Sequence, residues 1–243
     1  MRITRIFSNQ ELILGQAVAL DKDPSNHISH VLRLNVGNEL ELFNGDGFSY
    51  NAQILSIERN QVSAHILNKL AVDNESPLDL HLFQGVSRGD KMDLTLQKAV
   101  ELGVKQFTPI ITERCGVKLD AKRWQKKLDH WQKVIRSACE QSGRNIIPQL
   151  HTVKSFAEAL DDLNAQSLFL DPHAEHRFAS LKKPDTDLSI QLWVGPEGGF
   201  SDSEVTQVKS KGCTPVQLGP RVLRTETAAL AAVASINTVW GDY

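Results

Sequence analysis

The sequence predicts two dissimilar domains, a small β-rich one followed by an α/β one with a mostly parallel sheet. Three observations carry that reading. Up to about Lys69, apolar and polar residues alternate in short runs broken by turn residues. After the polar, proline-bearing stretch KLAVDNESPLDL, the grammar changes to strands alternating with helices. At 243 residues the chain exceeds what one compact core usually needs. The division is placed near residues 70–77, as domains of 1–72 and 73–243.

In the first domain, ELELFNGDGFSYNAQILSIERNQVSAHIL alternates with period two, and Asn44-Gly45-Asp46-Gly47 reads as a hairpin turn because glycine accepts the positive φ such turns need. A small β-barrel or sandwich is the expected closure. In the second domain LDLHLFQ reads as a strand, and DKMDLTLQKAVELG as a helix that Asp90 would cap and Gly103 would end. KQFTPII is the next strand. Trp124, Leu128, Trp131, Ile135 and Ala138 then recur at spacings of four, three, four and three, one apolar stripe on a long helix. That stripe is read as core rather than as a platform for stacking bases, since its spacing is helical. QSLFLD, SIQLWV and TPVQLG follow as strands, with SFAEAL, SDSEVTQVKSKG and TETAALAAVASINTVW as helices.

Composition is that of an ordinary globular protein, 41% hydrophobic and 23% charged. Cys115, Cys139 and Cys213 are far apart and outside any CxxC pair, which argues against a disulfide framework and a structural zinc site. The start MRITRIFSNQELILGQ lacks an apolar core of signal-peptide length, and no membrane span is seen, so a cytoplasmic protein is expected. DPHAEH, with His173 and His176, reads as a surface loop; no metal is expected. Net charge is −2, but residues 114–144 hold nine Lys/Arg against three Asp/Glu, a local +6 that leaves −8 on the rest. Such a face suits a polyanion through counterion release, or is simply solvated.

Two glycine-bearing loops stand out. In LWVGPEGGFSDSE, residues 192–204, three glycines and a proline follow an apolar strand, and Ser201 with Glu204 has the spacing of a capping box. The loop therefore lies at the carboxyl end of a strand, where open α/β sheets bind ligands. It is no phosphate cradle: a P-loop needs Lys then Ser/Thr, whereas Phe200 follows here, and GPEGGF lacks the dinucleotide spacing. An amide-rich loop beside Glu197 suits a neutral or cationic ligand. LGPRVLRTETAALAA repeats the arrangement one strand later, with Gly219-Pro220 ending a strand, Arg221 and Arg224 in the loop, and Thr225 as a helix N-cap. Two adjacent loops of this kind mark a ligand crevice.

VGPEGGFSDSE and LGPRVLRTETAALAA, with QKAVELGV and SACEQSGR upstream and MRITRIF and HVLRLNVGNELELFNGDG at the start, resemble the motifs of the ribosomal RNA small subunit methyltransferase E family, over nearly the whole chain. The resemblance implies a PUA-like β-barrel followed by an α/β SPOUT methyltransferase domain whose C-terminal chain forms a trefoil knot. It further implies a homodimer that methylates N3 of a uridine in 16S ribosomal RNA, within the 30S subunit, using S-adenosylmethionine. Leu192, Val194, Gly195, Pro196, Glu197, Gly198 and Gly199 would line one wall of the cofactor site, and Leu218, Gly219, Val222, Leu223 and Thr227 the other.

Uracil N3 carries a proton at neutral pH and is hidden in a base pair, so the base must be exposed and then ionised. A fixed guanidinium beside O2 or O4 would favour the anion, which makes Arg221 and Arg224 the catalytic candidates. Glu226 or water is the candidate base, although an acid in a first helical turn is favoured regardless of catalysis. Arg2, Arg5, His30 and Arg33 are candidate RNA contacts, Arg33 alternatively supporting the barrel. Lys122, Lys126 and Arg144 join them from the basic segment, with Glu140, Gln141 and Arg144 clustered at its end as either site residues or a surface ion pair.

Overall fold

The computed structural model describes residues 3–59, 61–163, 166–183 and 189–243. The chain divides into two units, Met1–Glu75 with Cys139–Ile147, and Ser76–Ala138 with Pro148–Tyr243. The first unit therefore takes back a nine-residue segment from the middle of the chain, which alternation of strands and helices does not reveal.

In the first unit the strands are β1 (Arg5–Phe7), β2 (Ala17–Ala19), β3 (Glu39–Phe43), β4 (Phe48–Glu58) and β5 (Gln61–Ala71), ordered β1-β3-β4-β5-β2. β1 runs parallel to β3, and the other neighbours are antiparallel. This is a five-stranded sheet in which β1 and β2 form the ends of the path, and no pairing between them closes a barrel among the described residues. The β3–β4 hairpin turns where the sequence predicts, with Gly45 at φ 94° and Gly47 at φ 88°. Alternate residues Leu40, Leu42, Tyr50, Ala52, Ile54, Val62, Ala64 and Ile66 enter one core. A short helix α1 (Lys22–Asn26) runs into a turn of π-helix, His27–Val31.

The second unit holds a seven-stranded, all-parallel sheet. Its strands are β6 (Asp79–Gly85), β7 (Gln106–Ile111), β8 (Gln149–Leu150), β9 (Lys154–Ser155), β10 (Ser167–Leu170), β11 (Ser189–Val194) and β12 (Thr214–Val216), in the order β12-β10-β11-β6-β7-β8 with β9 also on β7. The helices are α2 (Lys91–Glu101), α3 (Ala121–Ser142), α4 (Phe156–Leu160), α5 (Asp202–Ser210) and α6 (Thr225–Trp240). Strands covered on both faces read as continuous apolar runs, and SIQLWV is buried from Ile190 to Val194. Asp90 occupies the N-cap of α2 but its side chain makes no cap hydrogen bond; Gly103 follows the helix at φ 89°. The α3 stripe buries Trp131, Ile135 and Ala138 and half-buries Trp124 and Leu128, so its reading as core holds. No helix among the described residues is long and apolar enough to cross a membrane.

Candidate active site

Parallel pairing puts the carboxyl ends of β6 and β11, neighbours in the sheet, side by side, and the loops that leave them meet. A Cβ on Gly85, the last residue of β6, would lie 2.3 Å from Pro196 N and 2.7 Å from Gly195 C. Only glycine permits that approach. The 195–200 loop folds back on itself, with Gly199 N–H donating to Pro196 O at 2.9 Å, and a Cβ on Gly195 would sit 3.1 Å from Gly199 Cα. Phe200 then drops into the core beside Phe156 and Phe169 and anchors the loop's far end. Beyond it the predicted capping box forms: Ser201 Oγ accepts from Glu204 N–H at 3.3 Å, while the Glu204 carboxylate accepts from Ser201 N–H at 2.8 Å. The other Glu204 oxygen accepts from Glu113 N–H at 2.8 Å, tying the loop after β7 to the start of α5.

The loop after β12 is joined to this one by Thr225. Predicted as an N-cap, Thr225 is instead the first residue of α6, with Arg224 at the N-cap position. Its hydroxyl donates to Gly195 O at 2.6 Å and accepts from Gln84 Nε2 at 3.0 Å. Gln84 is buried in β6 and Gly195 is half-buried just beyond β11, so the helix start is fixed by tertiary contacts rather than by its own cap. Gln84 and Gly85 are not singled out by the sequence, and Thr225 is singled out there only as a cap. A glutamine in an apolar strand just before a glycine was the available signal.

The three loop glycines differ in what they leave room for. A Cβ on Gly198 would meet Arg114 Cβ at 2.9 Å, so that space belongs to Arg114, whose guanidinium donates to Phe200 O at 3.0 Å. At Gly199, φ 67°, and at Gly219, φ 120°, a Cβ would meet nothing within 4 Å; these two glycines border open space. Leu192 and Val194 are buried in β11, so their side chains belong to the sheet core rather than to a cofactor wall. Glu197 faces the β6–α2 loop: one carboxylate oxygen accepts from Arg88 N–H at 3.0 Å and from Lys91 Nζ at 3.1 Å. Burial pushes its pKa up, but hydrogen bonds from its own and the Arg88 backbone N–H, with the Lys91 ammonium, outweigh that and hold it below the usual carboxylate range. The carboxylate is thus committed to the neighbouring loop and not turned toward a cationic ligand.

Across the second loop Leu218, Gly219 and Leu223 are half-buried, Thr227 is exposed and Val222 is 88% exposed. Arg221 and Arg224 are exposed, and neither is in an ion pair among the described residues. Glu226, in the first turn of α6, is only 9% exposed, and its Oε2 has no hydrogen-bond partner among the described residues. A buried, unmatched acceptor costs about 1–3 kcal/mol.

Two proposed RNA contacts are corrected. Arg144 is 3% exposed and its guanidinium is spent on Glu75, with Nε–Oε2 at 3.0 Å. Arg5 pairs with Glu41 and donates to Arg144 O at 3.1 Å and Asn145 Oδ1 at 2.9 Å. Both arginines hold the 139–147 segment within the first unit, where Glu140 accepts from Phe7 N–H at 2.9 Å. Removing one partner of such a buried pair costs about 3–5 kcal/mol, a structural role that leaves no charge for RNA. His30 and Arg33 are exposed, Arg33 at φ 53°, and so are Lys122 and Lys126. Arg2 lies outside the described residues.

Comparison with known proteins identifies the family. Residues 74–237 match the family description "RNA methyltransferase domain" and residues 20–67 "RNA methyltransferase PUA domain", which makes the chain an RNA methyltransferase by class. Ribosomal RNA small subunit methyltransferase E of Buchnera aphidicola subsp. Schizaphis graminum is 35% identical over 99% of this chain and 98% of its own. A putative methyltransferase of Legionella pneumophila, solved with bound S-adenosylmethionine, superposes with a TM-score of 0.96 at 39% identity. Ribosomal RNA small subunit methyltransferase E of Neisseria gonorrhoeae, also bound to S-adenosylmethionine, gives 0.92 at 39%, and both alignments cover 100% of each chain. The chain belongs to the ribosomal RNA small subunit methyltransferase E family.

Proposed function

We propose that this protein transfers the methyl group of S-adenosylmethionine to N3 of a uridine in 16S ribosomal RNA, in the cytoplasm, on the small subunit. The observation that carries the reading is the union of two glycine loops by Thr225, which sets open space at Gly199 and Gly219 beside exposed arginines and a buried, unmatched carboxylate. The residues fit the cofactor. Backbone at Gly199 and Gly219 can reach an adenosine closely because no side chains intervene there, with Gly195, Pro196 and Leu218 beside them, and Val222, Leu223 and Thr227 would close the other wall. When bound, S-adenosylmethionine supplies an electrophilic methyl carbon on a sulfonium.

The chain's own residues then prepare the acceptor. Arg221 and Arg224 donate to O2 or O4 of the flipped uracil and favour its anion. Glu226, with its unmatched Oε2, accepts the N3 proton, and N3 takes the methyl group as the carbon–sulfur bond breaks. Positioning supplies much of the acceleration of such an in-line displacement. The family resemblance adds a deep trefoil knot in the C-terminal chain, a closed PUA-like barrel in the first unit, and a homodimer. The small, half-buried residues of α6, Ala228 and Ala231, suit close packing against a second copy.

The test is single-turnover transfer from labelled S-adenosylmethionine to 30S subunits, with the nucleosides separated after digestion. N3-methyluridine is the expected product, and Arg221→Ala is expected to slow its formation by about 10²-fold or more while RNA affinity holds. Label in a ribose 2′-hydroxyl would replace the acceptor assignment, and full rate in Arg221→Ala would remove the anion-stabilising role.

A further inference from the structure

Arg88 stands in the β6–α2 loop and takes no part in the chemistry above. Its backbone is hydrogen-bonded and its guanidinium packs against a neighbouring loop. The backbone N–H is held by Glu197 at 3.0 Å. At the other end, a Cβ on Gly116 would lie 2.3 Å from Arg88 Nη2, 2.4 Å from Nε and 2.6 Å from Cζ, so the guanidinium lies directly against the Gly116 backbone, in space that only glycine leaves. Gly116 belongs to the β7–α3 loop, as does Arg114, whose guanidinium donates to Gly198 O and Phe200 O. The loops leaving β6, β7 and β11 are thus braced together at one end of the sheet.

The cations at this junction differ in what occupies them. Lys91 is paired with Glu197, and Arg114 is satisfied by loop carbonyls. The Arg88 side chain has no carboxylate, hydroxyl or carbonyl partner among the described residues. A planar guanidinium that lies against backbone and has its donors unmatched suits a bidentate, anionic acceptor.

We infer that Arg88 is a substrate-positioning residue that grips a backbone phosphate of the RNA strand as the target nucleotide enters over the 195–200 loop. The inference rests on the RNA methyltransferase reading and goes beyond it by assigning the phosphate contact. A phosphodiester fits the exposed fork; the cofactor's carboxylate is the competing anion.

The experiment compares the full chain with Arg88→Gln and Gly116→Ala, measuring binding of a single-stranded 16S-derived RNA at several salt concentrations, S-adenosylmethionine binding by calorimetry, and melting. Gly116→Ala keeps every charge but displaces the guanidinium. Both variants are expected to weaken RNA binding about tenfold and to lower the magnitude of its salt slope by about 0.7, the value of one phosphate on a single strand, with cofactor affinity kept. Arg88→Lys, which keeps charge but not the fork, should keep the slope and recover only part of the affinity. An unchanged slope in Arg88→Gln overturns the inference, and so does a loss of S-adenosylmethionine binding with RNA binding intact, which would assign Arg88 to the cofactor. The unaltered protein is assayed alongside for transfer to 30S subunits. Absence of transfer there defeats the methyltransferase reading itself, whereas the salt slope still decides whether Arg88 holds a phosphate.

Discussion

At the scale of single residues, Thr225 shows how far local rules reach. Its type and place suggest an N-cap, and a helix does start there, but its hydroxyl serves another loop thirty residues away. Threonine suits both tasks, so the letters alone cannot separate them. Replacing Thr225 with Val keeps the shape and removes the hydroxyl, leaving the half-buried Gly195 O and the buried Gln84 Nε2 without that partner. A loss of about 1–3 kcal/mol in denaturant unfolding is expected, with S-adenosylmethionine binding weakened in calorimetry and Thr225→Ser close to the original; equal cofactor affinity in Thr225→Val would mean the two loops are held without it. Gly198 and Arg144 teach the same lesson from opposite sides. The glycine clears space for Arg114 rather than for a ligand, and the arginine is spent on Glu75. A residue's chemistry was legible in each case; the partner that uses it was not.

Among elements, periodicity was a better guide. Every helix and strand read from the second half is present, because continuous apolar runs mark strands buried on both faces and three-to-four spacing marks a helix face. The Ser201–Glu204 capping box formed as its spacing required. α3 buries Trp131, Ile135 and Ala138 and leaves Lys122, Lys126, Lys127 and Lys133 exposed, so its basic residues lie away from its apolar stripe. If that face meets RNA, reversing charge at Lys122 and Lys126 should lower the magnitude of the slope of log affinity against log salt by more than one unit while S-adenosylmethionine affinity stays unchanged. A slope equal to that of the unaltered protein would make the face merely solvated and direct attention to His30 and Arg33. Helix spacing could show that such a face exists. It carries no information on whether a partner covers it.

For the whole molecule, the change of grammar near residue 70 was enough to see two units, but not their composition. The return of Cys139–Ile147 to the first unit rests on Arg5, Arg144 and Glu75, polar residues whose pairing spans many positions and leaves no local pattern. Strand order was equally hidden: β10 sits between β11 and β12 although both follow it in the chain, and periodicity is blind to such crossovers. What the sequence did carry was the pair of glycine loops at the ends of β11 and β12, and Thr225 binds the second to the first. The claim that these loops hold a methyl donor for a uridine in small-subunit RNA is tested most directly by mapping methylated nucleosides in 16S RNA from cells with and without the gene. The account predicts one N3-methyluridine that disappears with the gene and returns with the unaltered copy but not with Arg221→Ala. Identical 16S maps from the two strains, or loss of a ribose methylation instead, would contradict it.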